Sequence, residues 1–121
     1  MKRLAVLLIV LALGCKGREK YQTMTQTGGG DAARGKQLIE KYGCAACHVI
    51  PQIEGPKGMV GPPLTHLAAR QFIGGKLPNT PENLTRWLQN PQAVDPQNAM
   101  PNLGLTPDQS RDITAFLYTL K

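Results

Sequence analysis

A chain of 121 residues is long enough for one domain and too short for two well-filled cores. One Trp, three Tyr and two Phe leave it poor in large rings, so a buried non-protein group would supply apolar surface that the side chains lack. Fourteen basic against eight acidic residues give a net charge of +6. The charges are scattered and line no basic aromatic groove, which excludes nucleic acid as the natural partner.

The chain opens on Lys2 and Arg3, followed by an unbroken apolar run from Leu4 to Leu13. Ten residues rise about 15 Å as a helix, roughly half of a bilayer core, too short to span it. A positive start, a short apolar run and a small residue read as an export signal over residues 1–14. Cys15 comes next, and Ala12-Leu13-Gly14-Cys15 resembles the lipobox of bacterial lipoproteins, with the usual order of the leucine and the small residue exchanged. The resemblance implies cleavage before Cys15 and acylation of that residue, and more than one acyl chain makes a stable anchor. Loss of Lys2 and Arg3 with the signal lowers the charge from +6 to +4. A mildly basic domain can be steered towards an acidic protein partner. An ordinary solvated basic surface reads the same way.

Residues 15–30 form the next unit. Lys16 to Gly30 is polar and ends in three glycines, the composition of a tether that would span about 20 Å on average and about 50 Å stretched. The folded domain is expected over residues 31–121. Asp31 can cap a helix to Tyr42 whose apolar face holds Gly35, Leu38, Ile39 and Tyr42, with Gly43 ending it. Glycine on a buried helix face costs about 1 kcal/mol, a cost that a close helix crossing would explain. Residues 49–63 are loop, a short helical turn or two is expected between Leu64 and Phe72, and residues 74–80 are loop again. Thr80-Pro81 starts a helix with Leu84, Trp87 and Leu88 as its apolar stripe, stopped at Asn90-Pro91, and residues 91–105 are expected as loop. Thr106-Pro107-Asp108-Gln109 is a capping box, after which Ile113, Phe116, Leu117 and Leu120 repeat on one face. No segment alternates as a strand, so the expected fold is all-α.

The chemistry lies in Cys44-Ala45-Ala46-Cys47-His48, the C-x-x-C-H signature of covalent haem c attachment. Two thiols three residues apart at a helix end can reach the two vinyl groups of one porphyrin, and the adjacent histidine then lies under the iron. A thioredoxin-like dithiol would need a βαβ setting. Structural zinc would need four ligands, and His66 is the only other histidine. A disulfide is the remaining alternative in an exported protein.

From residue 31 to 121 the chain resembles the class I cytochromes c. The likeness rests on Gly43-Cys44-Ala45-Ala46-Cys47-His48, Gly61-Pro62-Pro63-Leu64, Trp87-Leu88-Gln89-Asn90-Pro91, Met100-Pro101 and a terminal helix with Phe116, in the family's order. It implies a cytochrome c fold of about four helices with long loops around one haem, with the first and last helices crossing at Gly35. It implies His48 as proximal axial ligand, hydrogen-bonded to the carbonyl of Pro62, a bond that orients such a ring; Pro62 could equally serve as a turn former. Met100 matches the family's methionine ligand in context. Met24 lies in the tether, Met59 near the Gly-Pro segment on the proximal side, and His66 directly after that segment. Trp87 stands where the family carries an aromatic residue; its N–H could meet a haem propionate or a backbone carbonyl, or the ring could be core. His/Met ligation suits electron transfer, since the thioether favours ferrous iron and both axial positions are filled.

The function expected is a membrane-tethered single-electron carrier, not an enzyme, on the periplasmic side of a bacterial membrane. Its partners would be a quinol-oxidising complex and a terminal oxidase, the latter because residues 80–121 look similar to cytochrome c domains joined to haem-copper oxidases. The rival is a five-coordinate haem c enzyme or gas sensor.

Overall fold

The computed structural model describes residues 27–121. The export signal, Cys15 and the tether as far as residue 26 lie outside the described residues. Among those described, four α-helices carry the fold: α1 (Ala32–Lys41), α2 (Pro81–Gln89), α3 (Pro91–Val94) and α4 (Pro107–Leu117). None is long and apolar enough to cross a membrane.

Each helix starts where a capping side chain removes a spare backbone donor. The Asp31 carboxylate accepts from the Arg34 N–H at 2.9 Å, and Thr80 accepts from the Asn83 N–H at 3.2 Å. Thr106 and Gln109 form the reciprocal capping box expected of them. At the far end of α1 the chain turns on Gly43, whose φ of +69° is left-handed.

The helices α1 and α4 cross with their backbones in contact. A Cβ on Gly35 would stand 2.0 Å from the Asp112 carbonyl oxygen, so glycine is required there and its helix cost is repaid by the close approach. Gly30 meets α4 in the same way, 2.2 Å from the Arg111 carbonyl oxygen. Thr27 and Gly30 are both buried, so the last residues of the segment read as a tether pack on α4. Ile39, Ile113, Phe116 and Leu117 fill the crossing, each worth about 2 kcal/mol when buried.

On the other side α2 packs on α4 through Leu84 and Leu88, and the Thr85 and Thr114 hydroxyls bond at 3.1 Å. Three details sharpen the sequence reading. Residues 91–94 are helical rather than loop, because Asn90 closes α2 and its side chain then accepts from the Ala93 N–H at 3.2 Å. The same Asn-Pro pair ends one helix and starts another. The helix expected between Leu64 and Phe72 is one 3-10 turn, Leu67–Ala69. A two-residue antiparallel pair, β1 (Phe72–Ile73) with β2 (Leu77–Pro78), turns on Gly74 and Gly75 at positive φ.

Candidate haem-attachment site

The Cys-x-x-Cys-His segment leaves α1 at Gly43 and folds into a 3-10 turn, Cys44–Ala46. The N–H groups of Cys47 and His48 both donate to the Cys44 carbonyl, at 3.2 and 3.1 Å. Side chains three apart on a 3-10 turn eclipse, so the two sulfurs share one side, and His48 follows directly in the chain. Neither cysteine is in a disulfide, and both are half-buried. Burial pushes the Cys44 thiol above its ordinary value, with a contribution from Cys47 beside it. A redox dithiol has its nucleophile shifted the opposite way.

His48 is held by a single bond that also fixes its proton. Its Nδ1 lies 2.7 Å from the Pro62 carbonyl oxygen. A carbonyl only accepts, so Nδ1 carries the hydrogen and Nε2 presents its lone pair. That is the form in which imidazole binds a metal. Gly61 lies flat against the ring: a Cβ there would fall 2.3 Å from Cε1. The segment after it is tied down by Arg70, which donates to the carbonyls of Pro63 and Thr65.

The remaining sulfur candidates separate by burial. Met59 is 87% exposed, whereas Met100 packs against the buried core. The Met100 loop is braced at both backbone ends: the Asn98 carboxamide oxygen accepts from its N–H at 2.8 Å, and the Gln92 side-chain amide donates to its carbonyl at 2.6 Å. His66 is exposed, in a left-handed conformation ahead of the 3-10 turn. Trp87 is buried with its ring against Gly74, where a Cβ would stand 2.4 Å from Cη2.

These features fit haem. Two unpaired thiols sit one turn apart, and an imidazole is tied through Nδ1 with Nε2 presented. No group of three or more His, Cys, Asp or Glu side chains among the described residues could hold a bare metal ion.

Two polar nodes escaped the sequence reading. Asp112, nearly buried on α4, accepts from the Asp31 N–H at 2.7 Å and from Arg34 through Nε at 2.8 Å and Nη2 at 3.0 Å. Burial alone would raise its carboxyl pKa, but the bonds from Arg34 and Asp31 outweigh it and hold the value below the usual carboxylate range. Asn79 donates to the carbonyls of Leu67 and Arg70, at 2.8 and 2.9 Å, and accepts from the Tyr118 hydroxyl at 2.8 Å. Capping patterns read only a few residues ahead, and these partners are up to 81 positions apart.

Comparison with known proteins agrees with this geometry. The chain is similar to cytochrome c oxidase subunit 2 of Alkalihalophilus pseudofirmus, 34% identical over 94 residues that cover 74% of the chain and 26% of that protein. It is 31% identical to the subunit of the same name from Bacillus sp. strain PS3, again over 26% of that protein. The chain thus spans about a quarter of the length of these curated relatives. A family model described as Cytochrome c matches residues 32–121, from the first residue of α1 to the last of the chain. The chain therefore belongs to the cytochrome c family, whose cofactor is covalently bound haem c.

Proposed function

We propose that the protein is a single-electron carrier of a respiratory chain and not an enzyme. Cys44 and Cys47 would hold the haem through thioethers, His48 Nε2 and the Met100 sulfur would be the protein's ligands to its iron, and the Trp87 N–H would be free to donate to a propionate. The bound haem supplies an iron centre that changes by one electron. The rest is the work of the chain. Pro62 fixes the imidazole through Nδ1 and raises its basicity. Bracing by Asn98 and Gln92 keeps the Met100 segment in place whichever charge the iron carries. With His48 and Met100 both serving as ligands, no open site would be left for a substrate. The single observation that carries this reading is the 2.7 Å bond from His48 Nδ1 to Pro62, which leaves the other ring nitrogen aimed away as a ligand.

The protein is proposed to be exported and anchored by acyl chains on Cys15 at the periplasmic side of the membrane. A quinol-oxidising complex would donate and a terminal oxidase accept. The similarity to cytochrome c oxidase subunit 2 supports an oxidase partner.

Spectroscopy of the protein made with haem-attachment machinery tests the centre. The haem is expected to stay with the polypeptide on a denaturing gel, and the ferric form to show a weak sulfur-to-iron charge-transfer band. Rapid binding of carbon monoxide by the ferrous form would favour the five-coordinate enzyme or sensor instead.

A further inference from the structure

Pro62 and Pro63 follow one another in the chain, and neither has an N–H to donate. The N–H groups on either side of them point inward: Gly61 donates to the Cys47 carbonyl and Leu64 to the Val49 carbonyl, both at 2.8 Å. Those acceptors flank His48, so the two segments and the His48–Pro62 bond form one unit that moves with the ring. Arg70 ties this unit to the chain beyond it by donating to the Pro63 and Thr65 carbonyls.

Arg70 is itself held. The Asn79 side-chain amide donates to the Arg70 carbonyl at 2.9 Å and to the Leu67 carbonyl at 2.8 Å, and its oxygen accepts from the Tyr118 hydroxyl at 2.8 Å. Two carbonyl partners fix which way the amide faces, since only its nitrogen can donate to both. Tyr118 closes α4. Burial, with the charge of Glu82 adding to it, pushes the phenol above its ordinary value, so the hydroxyl stays a donor through the neutral range. A second tie runs the same way, from the Ala68 N–H to the Leu120 carbonyl at 3.0 Å.

One backbone feature lies between these bonds. His66 has a φ of +53°, a left-handed conformation that a residue other than glycine keeps only where its surroundings hold it. The carbonyls before and after it, of Thr65 and Leu67, are the ones that Arg70 and Asn79 take.

We propose that Asn79, anchored by Tyr118, is a positioning residue for His48: through Arg70 and the Pro62–Pro63 segment it fixes the setting of the imidazole relative to α4. This rests on the reading of His48 as an axial ligand. The bond to the Pro62 carbonyl makes the imidazole a more basic ligand, and a more basic ligand favours ferric iron. Loosening the segment therefore moves the balance towards ferrous iron.

The test is made on the holoprotein with Asn79→Leu, which keeps the size of the side chain, removes its three hydrogen bonds and adds no charge. Exchange of the His48 Nδ1 hydrogen with deuterium, followed by NMR, reads the bond to Pro62 itself. Redox titration reads its effect on the iron. Exchange is expected to quicken about tenfold or more, and the ferrous-to-ferric ratio at a given applied potential to rise about threefold, a shift of about 30 mV at about 59 mV per tenfold. Tyr118→Phe removes only the hydroxyl and should move both readouts in the same direction, which keeps the test decisive should Asn79→Leu not fold. Thr114→Val breaks the bond to the Thr85 hydroxyl on the same helix and controls for lost stability alone; both readouts should stay at their native values.

Native exchange in both Asn79→Leu and Tyr118→Phe, or equally quickened exchange in Thr114→Val, would overturn the positioning role and leave His48 as a ligand. A native protein whose His48 ring signals are not shifted by the iron would overturn the ligand reading, and the positioning role with it.

Discussion

His48, Met100 and Asp112 show how far single residues set the properties of this chain. Among the described residues the His48 ring has one hydrogen bond, and that bond decides which nitrogen is left as a ligand. Met100 owes its place to backbone bonds from Asn98 and Gln92 rather than to a helix or strand. Met100→Ala is expected to leave the fold intact, abolish the sulfur-to-iron band and open the ferrous form to carbon monoxide; an unchanged spectrum would remove Met100 from the ligand set. Asp112 carries a different burden. Replacing it with Ala strands the Asp31 N–H and the Arg34 guanidinium, a loss of about 1–3 kcal/mol that denaturant unfolding at neutral pH would measure. Because folding depresses its pKa, its stabilisation is complete above the unfolded value near 4 and fades as pH falls through the lower folded value. The gap between native and Asp112→Ala proteins should therefore close in acid below about pH 4. A gap constant with pH would mean that packing, not charge, is what the mutation removes.

At the scale of elements, the helix starts were legible because capping is local chemistry. Asp31, Thr80 and Thr106 each accept from a backbone N–H three residues on, and that spacing is visible in the sequence. Gly35 was legible for another reason: a costly residue on an apolar face points to a close neighbour, and the neighbour is the backbone of Asp112. What stayed hidden was whatever depends on partners far along the chain. Neither the Asp112 cluster nor the Asn79–Tyr118 node has a sequence signature, and the short helix after Asn90 was missed because a proline that ends one helix was not credited with starting the next. The Pro62 carbonyl was expected beside His48 only from the resemblance to class I cytochromes c, and the bond between them closes a loop of 14 residues. The crossing itself can be tested with Gly35→Ala. A methyl group 2.0 Å from a carbonyl oxygen must push α1 and α4 apart, and a loss of about 3 kcal/mol or more in thermal or denaturant unfolding is expected. A neutral result would mean that the two helices do not touch there.

For the molecule as a whole, the Cytochrome c match over residues 32–121 coincides with the span from the first helix to the end of the chain. What precedes it is proposed to decide where the domain works. Cys15→Ser is expected to release the protein from membranes into the soluble fraction without altering its visible spectrum; retention in the membrane would count against a lipid anchor.

The bonds between Asp112 and the start of α1 join residues 78 and 81 positions apart, and they lie within ten residues of the final lysine. Such long-range closure is entropically late. Until α4 has emerged, α1 lacks the Asp112 bonds and the backbone it crosses. If the chain is exported as proposed, it would stay loose and pliable in transit, with Cys44 and Cys47 accessible to the machinery that modifies them, until α4 arrived to meet α1.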